Sequence, residues 1–363
     1  MKPRVFVTRQ LPGNAVETLE SNFEVNVWPR EEPVPHDMLI ASVRGMHGIL
    51  STPADVVDQM VLHASLGLRV VANMDGGVDN IDVAACTRQG IMVTNTGSIA
   101  AESIADTVLC LMLVISRRLP EAWSLVARGG WRSWSPTLML GEDVNGSTLG
   151  IVGSDETAEA VARRASGFSM KISYWDSERQ PQFEQRAGAR FSELDDMLRQ
   201  AGFLVVLSPR AAGRGLTGLR GLIGERELSL MKPTAVLVGA GAGGLVDQRA
   251  LYHALSEGKL FGAGLDVYEA EPISILDPII RLPNMIALPH MGSATLKTRT
   301  AMANSAAENL TAALEGELPV NLVNPEVIDI LASRPLDIIA PVRDVSRQAR
   351  DVARQERDIT PLM

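Results

Sequence analysis

The side chains with chemistry to offer are few, and most of them fall where predicted strands end. Of five histidines, His36, His47, His63 and His253 show no metal-ligand spacing and read as surface or helix-packing residues. The fifth, His290, closes the apolar segment "MIALPH". Cys86 and Cys110 lie in apolar, helix-like stretches without zinc spacing and read as core thiols of a reduced, cytoplasmic protein. The turn "GSDETA" at 153–158 carries Asp155 and Glu156, and Asp176 ends the next strand. Arg210, Arg214 and Arg220 stand among glycines in "SPRAAGRGLTGLRGLIG". Against these stands "LVGAGAGGLVD" at 237–247, where an apolar run gives way to Gly239–Gly243, none of which carries a functional side chain. An α/β enzyme gathers its ligands at such strand ends. The run is either stripped of chemistry or makes room for something else. No Ser-His-Asp, P-loop or deaminase signature is present.

Two successive α/β series must position these residues. In the first hundred residues "RVFVT", "EVNVW", "GILST", "LRVVAN" and "IMVTNT" are near-continuously apolar, as strands buried on both faces are. Segments of helical spacing alternate with them, which predicts a complete doubly wound parallel domain. A long helix from Ser98 to about Arg117 leads into a second series. That series opens with "STLGIVGSDETAEAVARRASGFSMKISYWD" as strand, tight turn, helix and strand, and continues through "FLVVLS", "AVLVG", "FGAGLDVY" and "MIALPH". The helical segment "SATLKTRTAMANSAAENLTAALEGE" then returns to the first domain. The expected fold is therefore α/β with two doubly wound parallel sheets. A discontinuous flavodoxin-like domain covers 1–98 and 294–330, and a Rossmann-like domain covers 99–293, with a ligand cleft between them. Residues 331–363 are expected to form a helical extension, with Val342, Val345, Ala349, Val352 and Ile359 at heptad-like intervals.

Length and charge set the bounds. A chain of 363 residues, 46% hydrophobic and 21% charged, can fill two cores. The net charge of −9 argues against nucleic acid, whose phosphates need Lys/Arg neutralisation. The longest apolar segment, "ADTVLCLMLVISRR", is too short to span a bilayer.

From residue 2 to about 327 the chain resembles the D-2-hydroxyacid dehydrogenases, most of all their glyoxylate/hydroxypyruvate reductase branch. The resemblance rests on "VDNIDVAACTRQGIMVTNT", "WRSWSPTLMLGEDVNGSTLGIVG", "LMKPTAVLV", "GAGLDVYEAEP" and "LPHMGSATLKTRTAMA", in that order. It implies hydride exchange between a nicotinamide and the 2-carbon of a small acid. It places the acid/base on His290 and its supporting carboxylate on Glu271. Asp176 would bind the adenosine ribose and favour NADH, and Asp266 would meet the nicotinamide carboxamide. Asp75, Gly76 and Gly77 fall on the loop that holds the substrate carboxylate. Trp134 would reach the pocket of a partner subunit in a homodimer. The domain at 1–98 and 294–330 would bind substrate, and that at 99–293 nucleotide.

Three departures fall where the chemistry should be. The family's catalytic arginine position is Ala242, and losing such a charge commonly costs factors of about 10²–10³ in rate. The family's G-x-G-x-x-G falls on Gly153, Asp155 and Ala158. Asp155 sets a negative charge beside the expected pyrophosphate, and two like charges about 4 Å apart repel by roughly 4 kcal/mol at an effective dielectric near 20. Alternatively, Ser154 or Asp155 simply caps the helix. Leu207 replaces a histidine before a lengthened loop at 209–221, whose Arg210, Arg214 and Arg220 are the nearest candidates for the missing cation. The expectation drawn is a repurposed, largely non-redox enzyme of hydrolase or lyase type, using His290 and Glu271 on a small polar substrate. Its cofactor is expected to be none or weakly bound NAD(H), with no metal. The alternatives are a working NADH-dependent reductase of glyoxylate or hydroxypyruvate with a relocated arginine, and a catalytically dead binding or regulatory homologue. On any of these readings the partners are a small molecule and a second copy of the chain, with no nucleic acid or membrane.

Overall fold

A computed structural model describes residues 2–209 and 219–333. Of these, the residues up to Ile99 and from Thr295 form one compact unit, and those between Ala100 and Ala294 form a second.

The first unit carries a five-stranded sheet of β1 (Arg4–Val7), β2 (Glu24–Val27), β3 (Gly48–Ser51), β4 (Val70–Asn73) and β5 (Met92–Thr94), in the order β2-β1-β3-β4-β5. All its pairings are parallel. Alternation of side chains along each strand supplies two cores. Val5, Val7, Leu50, Val70 and Ala72 pack with Ala303, Ala306 and Leu310 of the helix Leu296–Glu315. Phe6, Ile49, Val71 and Val93 point the other way, against Leu39, Val61 and Leu62. Only the edge strand β2 alternates between exposed and half-buried residues.

The second unit holds a seven-stranded parallel sheet: β6 (Thr148–Val152), β7 (Lys171–Trp175), β8 (Arg190–Phe191), β9 (Phe203–Val206), β10 (Val236–Gly239), β11 (Gly262–Leu265) and β12 (Met285–Ala287). Their order is β12-β11-β10-β9-β6-β7-β8. The helix Ala101–Ser116 buries Val108, Leu111, Met112 and Ile115 in the core with Ile151, Val205 and Val238. It also brings Glu102 and Asp106 to Arg163 and Arg164, in the last turn of the helix Glu156–Ser166. These exposed pairs also offset the negative end of the helix dipole.

Eleven strands lie where the apolar runs predict them, and the two-residue β8 is the addition. The predicted helix Ser98–Arg117 is Ala101–Ser116. A second helix, Leu119–Ala127, follows a left-handed Arg118 (φ 51°) and starts with a proline in its first turn. Cys86 is buried as expected, but Cys110 is exposed on the face of its helix turned from the core. No described helix is long and apolar enough to cross a membrane. The expected helical extension lies, from residue 334 on, outside the described residues.

Candidate active site

Neighbouring parallel strands β11 and β12 end side by side, Leu265 opposite Ala287, and the chain after β11 grips the chain after β12 at several points. Glu271 Oε2 lies 2.7 Å from His290 Nδ1, and Glu271 Oε1 accepts the Tyr268 amide at 3.0 Å. Asp266, only 2% exposed, accepts the amides of Met291 and Gly292, each at 2.7 Å. The Tyr268 hydroxyl lies 2.7 Å from the Leu288 carbonyl oxygen and 3.1 Å from that of Leu265. From behind, the Ser103 hydroxyl donates to the Gly292 carbonyl at 2.7 Å. These bonds hold His290 at φ 51°, a left-handed conformation uncommon for a residue with a side chain. Burial raises the Asp266 carboxyl above its ordinary value, and the two amides it accepts oppose that rise. Burial, with the charges of Asp266 and Glu271, pushes the Tyr268 phenol up to about 12. Tyr268 thus stays a neutral donor. Its role is invisible in the sequence, where it is one more aromatic beside Glu271.

The turn after β6 is built from different parts. Gly153 has φ +105°, and a Cβ there would come 2.8 Å from the Ser208 carbonyl oxygen, so only glycine fits. Asp155 is the N-cap of the helix Glu156–Ser166, its carboxylate accepting the Ala158 amide at 2.8 Å. Buried Ser154 donates to Asp176 Oδ2 at 2.6 Å, and Asp176 Oδ1 accepts the Ser177 amide at 2.7 Å. The capping alternative read from the sequence is what the structure shows. Burial above all, with Glu156 and Asp176 adding to it and the Ala158 amide opposing it, pushes the Asp155 carboxyl up to about 6.

The glycine–alanine run after β10 does not vacate a pocket. A Cβ on Gly241 would strike the Leu207 backbone, and one on Gly243 the Tyr268 carbonyl. The run is glycine-rich because backbones pass in contact there. Half-buried Ala242 lines a cavity of about 10 Å³ with Gln248, Tyr268 and Glu269, the room of roughly one water. Beyond it Gly221 donates to the Gly244 carbonyl at 2.8 Å, which brings the Arg220 guanidinium beside Gly244.

In the first unit, Asp75, Gly76 and Gly77 follow β4. The Gly77 amide donates to Asp75 Oδ2 at 3.1 Å, while Asn95 and Asn73 donate to the Gly76 and Gly77 carbonyls. Trp134 belongs to the second unit and is 78% exposed. Arg210 and Arg214 lie outside the described residues. Among the described residues no group of His, Cys, Asp and Glu could hold a metal ion.

Residues 109–292 match the family described as D-isomer specific 2-hydroxyacid dehydrogenase, NAD binding domain. A glyoxylate reductase of Korarchaeum cryptofilum is 43% identical over 331 residues, 91% of this chain and 98% of the relative. A solved structure of a protein from Thermus thermophilus superposes with a TM-score of 0.81 at 39% identity, covering 88% of this chain and 99% of that one. An NADPH-dependent glyoxylate/hydroxypyruvate reductase of Sinorhizobium meliloti, in complex with NADP and malonate, gives 0.77 at 30% identity over 90% and 98%.

Two expectations fall to these findings. A non-redox hydrolase or lyase does not fit relatives named glyoxylate reductase over nearly the whole of both chains. Absent or weak NAD(H) binding does not fit a matched NAD-binding domain that spans the β6 turn, nor a structural neighbour holding NADP. The physical reason lies in the turn. Asp155 spends its carboxylate on its own helix, and the Gly153 turn keeps the left-handed backbone and the close approach to Ser208 that only glycine allows.

Proposed function

The chain belongs to the D-isomer-specific 2-hydroxyacid dehydrogenase family, and from that premise we propose that it reduces small 2-keto acids of the glyoxylate and hydroxypyruvate class with a reduced nicotinamide. The observation that carries the reading is the 2.7 Å pairing of His290 with Glu271, fixed by the loop after β11. With Nδ1 held by a carboxylate, Nε2 is the ring nitrogen that exchanges a proton with substrate. When bound, a reduced nicotinamide would supply hydride to the keto carbon. His290 delivers the proton to the carbonyl oxygen, and Glu271 stabilises the imidazolium from which that proton leaves. The Gly153 turn, Asp176 and Asp266 are the groups proposed to hold the dinucleotide.

Gly76 and Gly77 offer backbone amides to the substrate carboxylate, which must take the place of Asp75 on the Gly77 amide. Residue 242 has no charge to contribute. Its role passes to the arginines of segment 209–221, and Arg220, beside Gly244, is the one the structure describes. We also propose a homodimer formed through the helix Leu119–Ala127 and the segment after it. There Trp123, Trp131 and Trp134 are each more than half exposed, large aromatic side chains of the kind a partner subunit covers. Light scattering that gives a monomer at micromolar concentration contradicts this assembly.

The reaction is tested by mixing purified protein with glyoxylate or hydroxypyruvate and NADH or NADPH, and following nicotinamide absorbance. Turnover with at least one pair is expected, and none with any pair rejects the reading.

A further inference from the structure

We propose that Asp155 takes up a proton together with the dinucleotide, its carboxyl changing from a helix cap that repels the pyrophosphate to a donor that bonds it. The inference rests on the reductase reading above, which requires a dinucleotide at the β6 turn.

Its first support is position. In a βαβ nucleotide unit the pyrophosphate sits at the N-terminus of the helix after the first strand, where backbone amides point at it. In this chain the Asp155 carboxylate is at that N-terminus, bonded to the Ala158 amide. An ionised carboxylate can only accept hydrogen bonds, and so can a phosphate oxygen. A protonated carboxyl donates one and removes the like charge.

The second support is the company Asp155 keeps. Glu156 follows it on the same turn, and Asp176 at the end of β7 adds a further negative charge. The end of β9, which closes on Gly153, presents the uncharged Leu207 and Ser208. On the flanks of the helix, Glu159 is paired with Arg186, and Arg163 and Arg164 with Glu102 and Asp106. Among the described residues no lysine or arginine pairs with Asp155, so its own protonation is a route by which this turn sheds charge. The third support is accessibility in pH: burial already brings the carboxyl to about 6, so a dianionic ligand can draw a proton onto it near neutrality.

The test is calorimetric titration with NADH, whose pyrophosphate does not itself titrate near neutrality, in two buffers of different ionisation enthalpy, between about pH 6 and about pH 8. Net proton uptake on binding is expected, with Kd weakening up to about tenfold per pH unit across this range. Asp155→Asn keeps the helix cap and presents an amide donor at every pH. In that variant proton uptake should vanish and affinity at the alkaline end should exceed that of the wild type. NADH binding with no proton uptake, or uptake that persists in Asp155→Asn and so belongs to another group such as His290, overturns the inference and leaves the reductase reading standing. Failure to bind NADH or NADPH at any pH overturns both.

Discussion

Two strand ends of one sheet treat their acidic residues in opposite ways. After β11, Asp266 and Glu271 are turned toward the neighbouring loop, and each holds a part of it: Asp266 the backbone around His290, Glu271 the imidazole. After β6, Asp155 is turned onto its own helix, while Asp176, at the end of the neighbouring β7, accepts from Ser154 of the β6 turn and from the Ser177 amide. On the proposed reading, the first arrangement presents a histidine for proton transfer. The second places a carboxylate where the pyrophosphate of the proposed dinucleotide would sit. A carboxylate builds a catalytic group when it accepts from the group it serves, and obstructs a ligand when it accepts in that ligand's place.

The largest break in this comparison should come at His290. His290→Gln removes the titrating group while keeping a polar side chain, and kcat for keto-acid reduction should fall by about 10²–10⁴. The dissociation constant for NADH, measured by nicotinamide fluorescence, should stay within a few-fold of wild type. A comparable loss of NADH affinity would mean that the two strand ends are not separate in function.

Asp266→Asn tests how the histidine loop is held. An amide offers one acceptor oxygen, so its NH₂ must face either the Met291 or the Gly292 amide, and one buried donor loses its partner. The expected cost is about 1–3 kcal/mol in urea denaturation, with kcat lowered more than the KM for the keto acid. Unchanged stability would show that the two bonds at 2.7 Å do not hold the loop.

A smaller effect is expected at Asp155, with a sign set by its raised carboxyl. In the unfolded chain an aspartate ionises near 4, and here near 6. Folding is therefore unpenalised when both states are protonated. The penalty grows as pH rises through that window and is fully present above it. Asp155→Asn should stabilise the protein by about 1 kcal/mol at about pH 8, discounted for partial exposure, and by nothing at about pH 3. Equal stabilisation at both would mean that the carboxylate is not destabilised by its surroundings.

Most of the fold was legible because buried parallel strands write themselves as apolar runs, such as "GILS" and "VVAN", which need no tertiary information to recognise. The end of the long helix near Arg117 was legible, but the second helix, Leu119–Ala127, went unread although Pro120 stands in its first turn. Within the site, His290 and Glu271 could be found through family resemblance, and the geometry places them together. Tyr268 could not, because its hydroxyl serves two backbone carbonyls that no sequence pattern marks. The glycine–alanine run was open to misreading for a related reason. Absent side chains look like vacated space, whereas Gly241 and Gly243 are there because the Leu207 and Tyr268 backbones pass too close for a Cβ. The functional expectation failed because it gave Asp155 and Ala242 more weight than a resemblance that spans nearly the whole chain.

The central claim is that these strand ends still carry out hydride transfer despite Asp155 and Ala242. It is tested most directly with hydroxypyruvate and reduced nicotinamide deuterated on the hydride-donating carbon, by locating the label in the product by mass spectrometry. The account predicts glycerate carrying deuterium at C2 from the wild-type protein, and its loss in His290→Gln. Product formed without deuterium at C2, or no glycerate with either NADH or NADPH, would contradict it.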